Sequence, residues 1–126
     1  MNFKKVRSNK KEGFTLIEMV MVVVIIGVLS SMAMMKYGDV QTNAKIKADR
    51  ATASTIATAT TMAINDGQTL TTSDKIVDEL VSKGYLQSAI KSSTTGSSFI
   101  VTIGDKNTIT ITSGTGDNIK TFYPVN

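Results

Sequence analysis

Lys10-Lys11-Glu12-Gly13-Phe14-Thr15-Leu16-Ile17-Glu18 opens a run that continues from Met19 to Met35 with few polar side chains. Between Phe14 and Met35 only Thr15, Glu18, Gly27, Ser30 and Ser31 interrupt the apolar residues. As a helix rising about 1.5 Å per residue, this stretch spans roughly 33 Å, enough to cross the hydrocarbon core of a bilayer. Five basic side chains, Lys4, Lys5, Arg7, Lys10 and Lys11, precede it. The positive-inside rule predicts that they stay cytoplasmic and that the C-terminus is sent outward.

An ordinary secretory signal would have the same outline. Met19 to Leu29 would be its apolar region, and Ser31-Met32-Ala33 its small-residue cleavage site. Glu18 argues against that reading. A carboxylate inside an apolar run costs about 2.5–3.5 kcal/mol at the bilayer centre, somewhat less near the interface, and a signal peptide gains nothing from it. If the chain is cut between Gly13 and Phe14, the new α-amino group and Glu18 stand at i and i+4 on one helical face. The acid also falls in the first turn, where the helix dipole favours negative charge. On this reading a neutralising partner for Glu18 exists only after the cut.

Residues 10–18, with the apolar run behind them, resemble the prepilin motif of type IV pilins and pseudopilins. In that family a membrane aspartyl peptidase cuts after the glycine and methylates the exposed residue, usually phenylalanine. The resemblance implies that Gly13 precedes the scissile bond and that Phe14 becomes N-methylphenylalanine. It also implies that Glu18 pairs with the N-terminal amine of a neighbouring subunit during assembly. The close likeness covers residues 10–37. Many pilins carry a kinking proline near the position of Met35, whereas the single proline here is Pro124. A helix without that ring is predicted to run straighter through Lys36 and Tyr37, with Gly27 as its weak point.

Composition narrows the remaining possibilities. The 126 residues contain no Cys, His or Trp, which removes disulfides, thiolate metal sites and the commonest general base. The net charge of +4 belongs to the first 13 residues, where five basic side chains stand against Glu12. From Phe14 onward nine basic and nine acidic side chains balance. A nucleic-acid binder concentrates basic charge on its folded part, so nucleic acid is not an expected partner.

Past the apolar run, helical periodicity continues to about Asn65, with Asn65-Asp66-Gly67 as the stop. At about 100° per residue, Ile46, Ala53, Ile56, Ala57, Thr60 and Ile64 share one face. Ala44, Ala48, Ala51, Thr55, Ala59 and Met62 fall roughly opposite. The first face suits packing on a head and the second suits close approach of another helix, although one wide Ala-rich face is equally consistent. Thr72-Ser73-Asp74 offers caps for a short helix with Ile76, Val77, Leu80 and Val81 as its stripe and Gly84 as its end. Ser88 to Ser98 reads as a loop. Strands are predicted at Phe99–Ile103, Thr108–Ile111 and near Ile119–Val125. Gly104-Asp105-Lys106-Asn107 and Gly114-Thr115-Gly116-Asp117 form the turns between them. The predicted class is α+β, a long N-terminal helix packed against a small antiparallel meander. Its parts are a leader (1–13), an apolar assembly helix (14–35), an amphipathic stalk (36–66) and a head (67–126).

Other features yield to simpler readings. Gly114-Thr115-Gly116 is too short and wrongly placed for a phosphate loop, which would follow a strand and open a helix, and reads as a turn. Asp74, Asp78 and Glu79 at helical spacing read as a solvated face, and the Met-rich run reads as flexible packing. No constellation calls for a catalytic group, a metal or another cofactor. The expected function is a pilus structural subunit, anchored as a single-pass precursor with its head outside and then polymerised into an extracellular filament. Its expected partners are other pilin subunits, the prepilin peptidase and the membrane assembly platform. The alternatives are a pseudopilin of a type II secretion or competence system, and a secreted binding module released near Ala33.

Overall fold

The computed structural model describes residues 12–71 and 73–124. In chain order its main elements are α1 (Leu16–Asn65), α2 (Ile76–Ser82), β1 (Phe99–Ile103), β2 (Ile109–Ser113) and β3 (Lys120–Tyr123). The architecture is α+β. The described residues divide into two units, the first ending at Gly38 and the second beginning at Asp39.

Gly27 and Met35 both lie within the helical span of α1. With no proline between residues 16 and 65, no ring removes a backbone donor from the helix. Its C-terminus closes as the sequence predicts. Gly67 adopts φ +74°, and Gln68 N donates to Ala63 O while Gly67 N donates to Ile64 O, the paired bonds of a Schellman motif. α2 ends the same way at Gly84, with φ +82°, Tyr85 N bonded to Leu80 O and Gly84 N to Val81 O.

The strands form an antiparallel sheet in the order β1-β2-β3. Phe99 pairs with Ser113, Val101 with Ile111 and Ile103 with Ile109. Between β2 and β3 the register shifts at Ile111/Thr112, placing an extra residue on β3. Period-two alternation sends Phe99, Val101, Ile109 and Ile111 into the core, and the extra residue of β3, Phe122, is buried with them. There they join Ile76, Val77 and Leu80 of α2, and Ala53, Ile56, Ala57, Ala59 and Ala63 of α1. The Phe99 and Phe122 rings meet edge to face at 5.9 Å and 76°, a favoured aromatic geometry.

Several expected details are corrected. β2 starts one residue later than predicted and runs on to Ser113, which pairs with Phe99 on one side and Lys120 on the other, while its buried hydroxyl donates to the carbonyls of Ser97 and Ser98. β3 is confined to Lys120–Tyr123, and Val125 lies outside the described residues. Ser73 and Asp74 do not cap α2, whose N-cap position is Lys75 with no side-chain hydrogen bond; Thr72 lies outside the described residues. Ala59, expected on the free face of the stalk, is buried, whereas Ala44, Ala48, Ala51, Thr55 and Met62 are exposed. Between β2 and β3 the chain turns at Gly114. Its φ is +133°, and an added Cβ would stand 2.2 Å from Asn118 O, so only glycine fits.

Candidate processing and assembly site

Residues 12–15 precede the helix without regular structure, and all are exposed. Gly13 and Phe14 therefore lie on accessible backbone, with Phe14 itself 81% exposed. A Cβ added at Gly13 would meet nothing within 4 Å, and its φ lies outside the left-handed region. Nothing in the described fold of this chain calls for glycine at that position.

Thr15 occupies the position just before the first helical residue, Leu16. Its backbone N–H donates to Glu18 Oε2 at 3.1 Å, and Glu18 N–H donates to Thr15 Oγ1 at 3.4 Å. Each side chain thus satisfies the other residue's backbone donor, which is the reciprocal capping box of a helix N-terminus. In the uncut chain the Glu18 carboxylate already accepts a hydrogen bond, although from a neutral donor. The Thr-x-x-Glu spacing was the signal for this pairing. Glu18 also stands in the first turn of α1, where the dipole favours its charge.

Beyond Glu18 the apolar run carries its side chains outward with no cover. Every residue from 12 to 45 is exposed. Among the described residues this is the one helix long and apolar enough to cross a membrane. The Ser31 hydroxyl turns back to Val28 O at 2.7 Å, so that polar group is satisfied within the helix. The apolar side chains around it have no such internal solution. Lys4, Lys5, Arg7, Lys10 and Lys11 lie outside the described residues.

Sequence against known families now completes the picture. Residues 8–34 match the family model for the prokaryotic N-terminal methylation motif. This is the type IV pilin and pseudopilin signature. The matched residues include Gly13, Phe14 and Glu18, and they run through most of the apolar segment. The family is one of structural, pilin-type precursors. No curated protein matches the chain, and no solved structure does.

A second polar cluster, unforeseen from sequence, lies in the unit that begins at Asp39. Asp49 is buried on α1 at 2% exposure. It accepts from Ser92 Oγ at 2.6 Å, Ser93 N at 2.7 Å and Thr94 N at 2.8 Å. Burial pushes the Asp49 carboxyl up, but the hydrogen bonds from Ser92, Ser93 and Thr94 outweigh it and hold the group below its usual value. The loop they belong to closes on itself, with Ser92 N bonded to Ser97 O and Gly96 N to Ser92 O. A sequence clue existed: Asp49 stands three residues after Ile46 and four before Ala53, on the buried stripe.

A separate set of polar contacts ties the α1–α2 connection to α2 and the residues after it. Glu79 accepts from the backbone and hydroxyl of Thr71, and this pairing lowers its carboxyl pKa. Lys83 donates to Gln68 Oε1 at 3.0 Å. Tyr85 donates to Asp66 Oδ2 at 2.6 Å, which raises the phenol's pKa. These contacts hold the head's connection in place and gather no catalytic constellation.

Proposed function

We propose that the chain is a structural subunit of a type IV pilus, resembling a major pilin. It is made as a single-pass precursor in the cytoplasmic membrane with its head outside. The prepilin peptidase hydrolyses the Gly13–Phe14 bond, leaving the Gly13 carboxylate on the leader and a new amine on Phe14. N-methylation of that amine follows, and the subunit passes through the assembly platform into an extracellular filament.

One observation carries this reading: accessible, non-helical backbone at Gly13–Phe14 leads directly into a helix whose apolar side chains are uncovered. Proteases engage extended peptide, and a Gly13 that no described contact requires is one that an outside partner reads. The rival cut near Ser31-Met32-Ala33 would fall inside α1. The uncovered apolar surface is at ease in lipid and equally in a bundle of like helices, where close packing replaces lipid contacts. Glu18, costly alone in such a core, is offset by an amine that the cut creates at Phe14. The subunit itself needs no catalysis, and with balanced charge after Gly13 it has no evident affinity for nucleic acid. The three-stranded head favours a pilus subunit over a pseudopilin, with which it shares its N-terminal motif.

Mass spectrometry of the mature N-terminus tests the proposal. The expected species begins at Phe14 and carries one added methyl group. A species beginning at Met34 would replace the proposal with the secreted-module reading.

A further inference from the structure

We infer that Thr15 is a positioning residue for processing: its capping box with Glu18 fixes the start of α1 at Leu16 and so holds the Gly13–Phe14 bond outside the helix. The inference rests on the processing proposal above and assigns a role to a residue that proposal leaves idle.

The physical case starts from the apolar run. Met, Val, Ile and Leu in the first turns have no tertiary partner to fix where the helix begins. A membrane-type helix gains one backbone hydrogen bond for each residue added at its end, and unpaired backbone donors are costly near lipid. Without a stop, helix would therefore propagate back through Phe14 toward Gly13. A helical peptide bond is not a protease substrate, because its N–H and C=O are engaged along the axis and its side chains wind around it.

The capping box opposes that propagation. A residue at the N-cap keeps non-helical backbone while its side chain satisfies a donor in the first turn. Thr15 Oγ1 accepts from Glu18 N, and Glu18 Oε2 accepts from Thr15 N, so both halves are present. Residues 12–15 are accordingly non-helical and exposed, which leaves the Gly13–Phe14 bond just outside the turn that the box begins, within the stretch that matches the methylation motif. Glu18 therefore acts twice. Before the cut its carboxyl oxygen serves as a hydrogen-bond acceptor for Thr15, and after the cut its charge serves the Phe14 amine.

The two roles separate by chemistry. Glutamine at position 18 keeps an acceptor oxygen and loses the charge, whereas alanine loses both. Serine or asparagine at position 15 keeps a capping oxygen, whereas alanine removes it and favours helix. The experiment measures kcat/KM for cleavage of the full-length precursor, in lipid vesicles, by prepilin peptidase. Products are assigned by mass spectrometry. Loss of a cap should slow Thr15→Ala about fivefold. Thr15→Ser, Thr15→Asn and Glu18→Gln should stay within about twofold of the unmodified chain, and Glu18→Ala should match Thr15→Ala. The double variant should be no slower than either single one, since both remove the same box. Cleavage of Thr15→Ala at the unmodified rate overturns the inference. Asn at position 15 as slow as Ala also overturns it, because the peptidase would then be reading the threonine directly. A wild-type chain left uncut after Gly13 would instead overturn the processing proposal, and this inference with it.

Discussion

α1 is solved in two different ways along its length. Up to Gly38 every described side chain is exposed, although most are apolar. From Asp49 to Ala63, by contrast, seven residues are buried: Asp49, Ala53, Ile56, Ala57, Ala59, Thr60 and Ala63. The buried stretch is poorer in large apolar side chains than the exposed one. Hydrophobicity alone therefore does not decide what this chain covers. Ala53, Ile56, Ala57 and Thr60 at i, i+3, i+4 and i+7 give α2 and the sheet one face to close on, whereas a run apolar all round has no face to choose. The second region holds its energetics within the subunit. The first has no cover within the described chain, so on the function proposed above its substitutions should act on processing and assembly while leaving the fold of the head intact.

The largest effect expected from that contrast is at Gly13. Gly13→Val should leave a full-length, membrane-bound chain absent from filaments, although the substitution strains nothing in the described fold. Normal-sized mature subunit from this variant, seen by immunoblot, would remove Gly13 from the cleavage site. Next comes Glu18. Glu18→Gln should be processed yet assemble poorly, because an apolar core offers the Phe14 amine no countercharge. Glu18→Asp should fall between, its carboxylate one methylene short. Filament yield relative to processed subunit in the membrane measures both. Unchanged yield from Glu18→Gln would mean that apolar packing alone sets the register.

The complementary prediction concerns the other region. A chain beginning at Lys36 should be soluble and monomeric, since it keeps the core and loses the uncovered run. Within it, Asp49→Ala removes the acceptor of the buried Ser92 hydroxyl and of two part-buried backbone N–H groups, of which Thr94 N keeps a bond to Ser92 Oγ. The loss should be about 3 kcal/mol, as for other buried, charge-assisted networks that lose their acceptor. Asp49→Asn should cost about half as much, because its carbonyl still accepts. Urea unfolding followed by circular dichroism reads both. Filaments from the Lys36 chain would contradict the division of labour itself.

Legibility in the sequence follows the same division. The N-terminal motif could be read because it is local, with Gly13, Phe14 and Glu18 at fixed spacing along the sequence. β1 and the ends of α1 and α2 could be read because alternation and the stop glycines Gly67 and Gly84 are local signals too. What escaped was non-local. Asp49 looks like one charge among Lys45, Lys47 and Arg50 until a loop 43 residues away supplies its donors. Ser113 ends the visible Thr/Ile alternation, yet belongs to β2 because Phe99 and Lys120 pair with it across the sheet, and its buried hydroxyl donates to the carbonyls of Ser97 and Ser98. The Thr15–Glu18 box is the exception, a local pattern masked by a more prominent use for the same glutamate.

The smallest expected effect is a pH dependence confined to the head. The Asp49 carboxyl is held below its usual value, so the folded state binds the proton less readily than the unfolded chain does. The stabilisation is thus fully present above the unfolded value of about 3.9, and is lost as pH falls through the lower folded value. Glu79, lowered by its bonds to Thr71, acts in the same direction, so the acid limb of the unmodified head mixes the two. Subtracting the Asp49→Asn profile isolates one of them, since asparagine is close in size and cannot titrate. The difference in unfolding free energy between the two chains should be constant from about pH 7 to 5 and shrink below about pH 4. A difference that stays constant down to about pH 2 would mean that Asp49 keeps its usual affinity for the proton. The loop would then be held by shape and neutral hydrogen bonds, with no contribution from the charge.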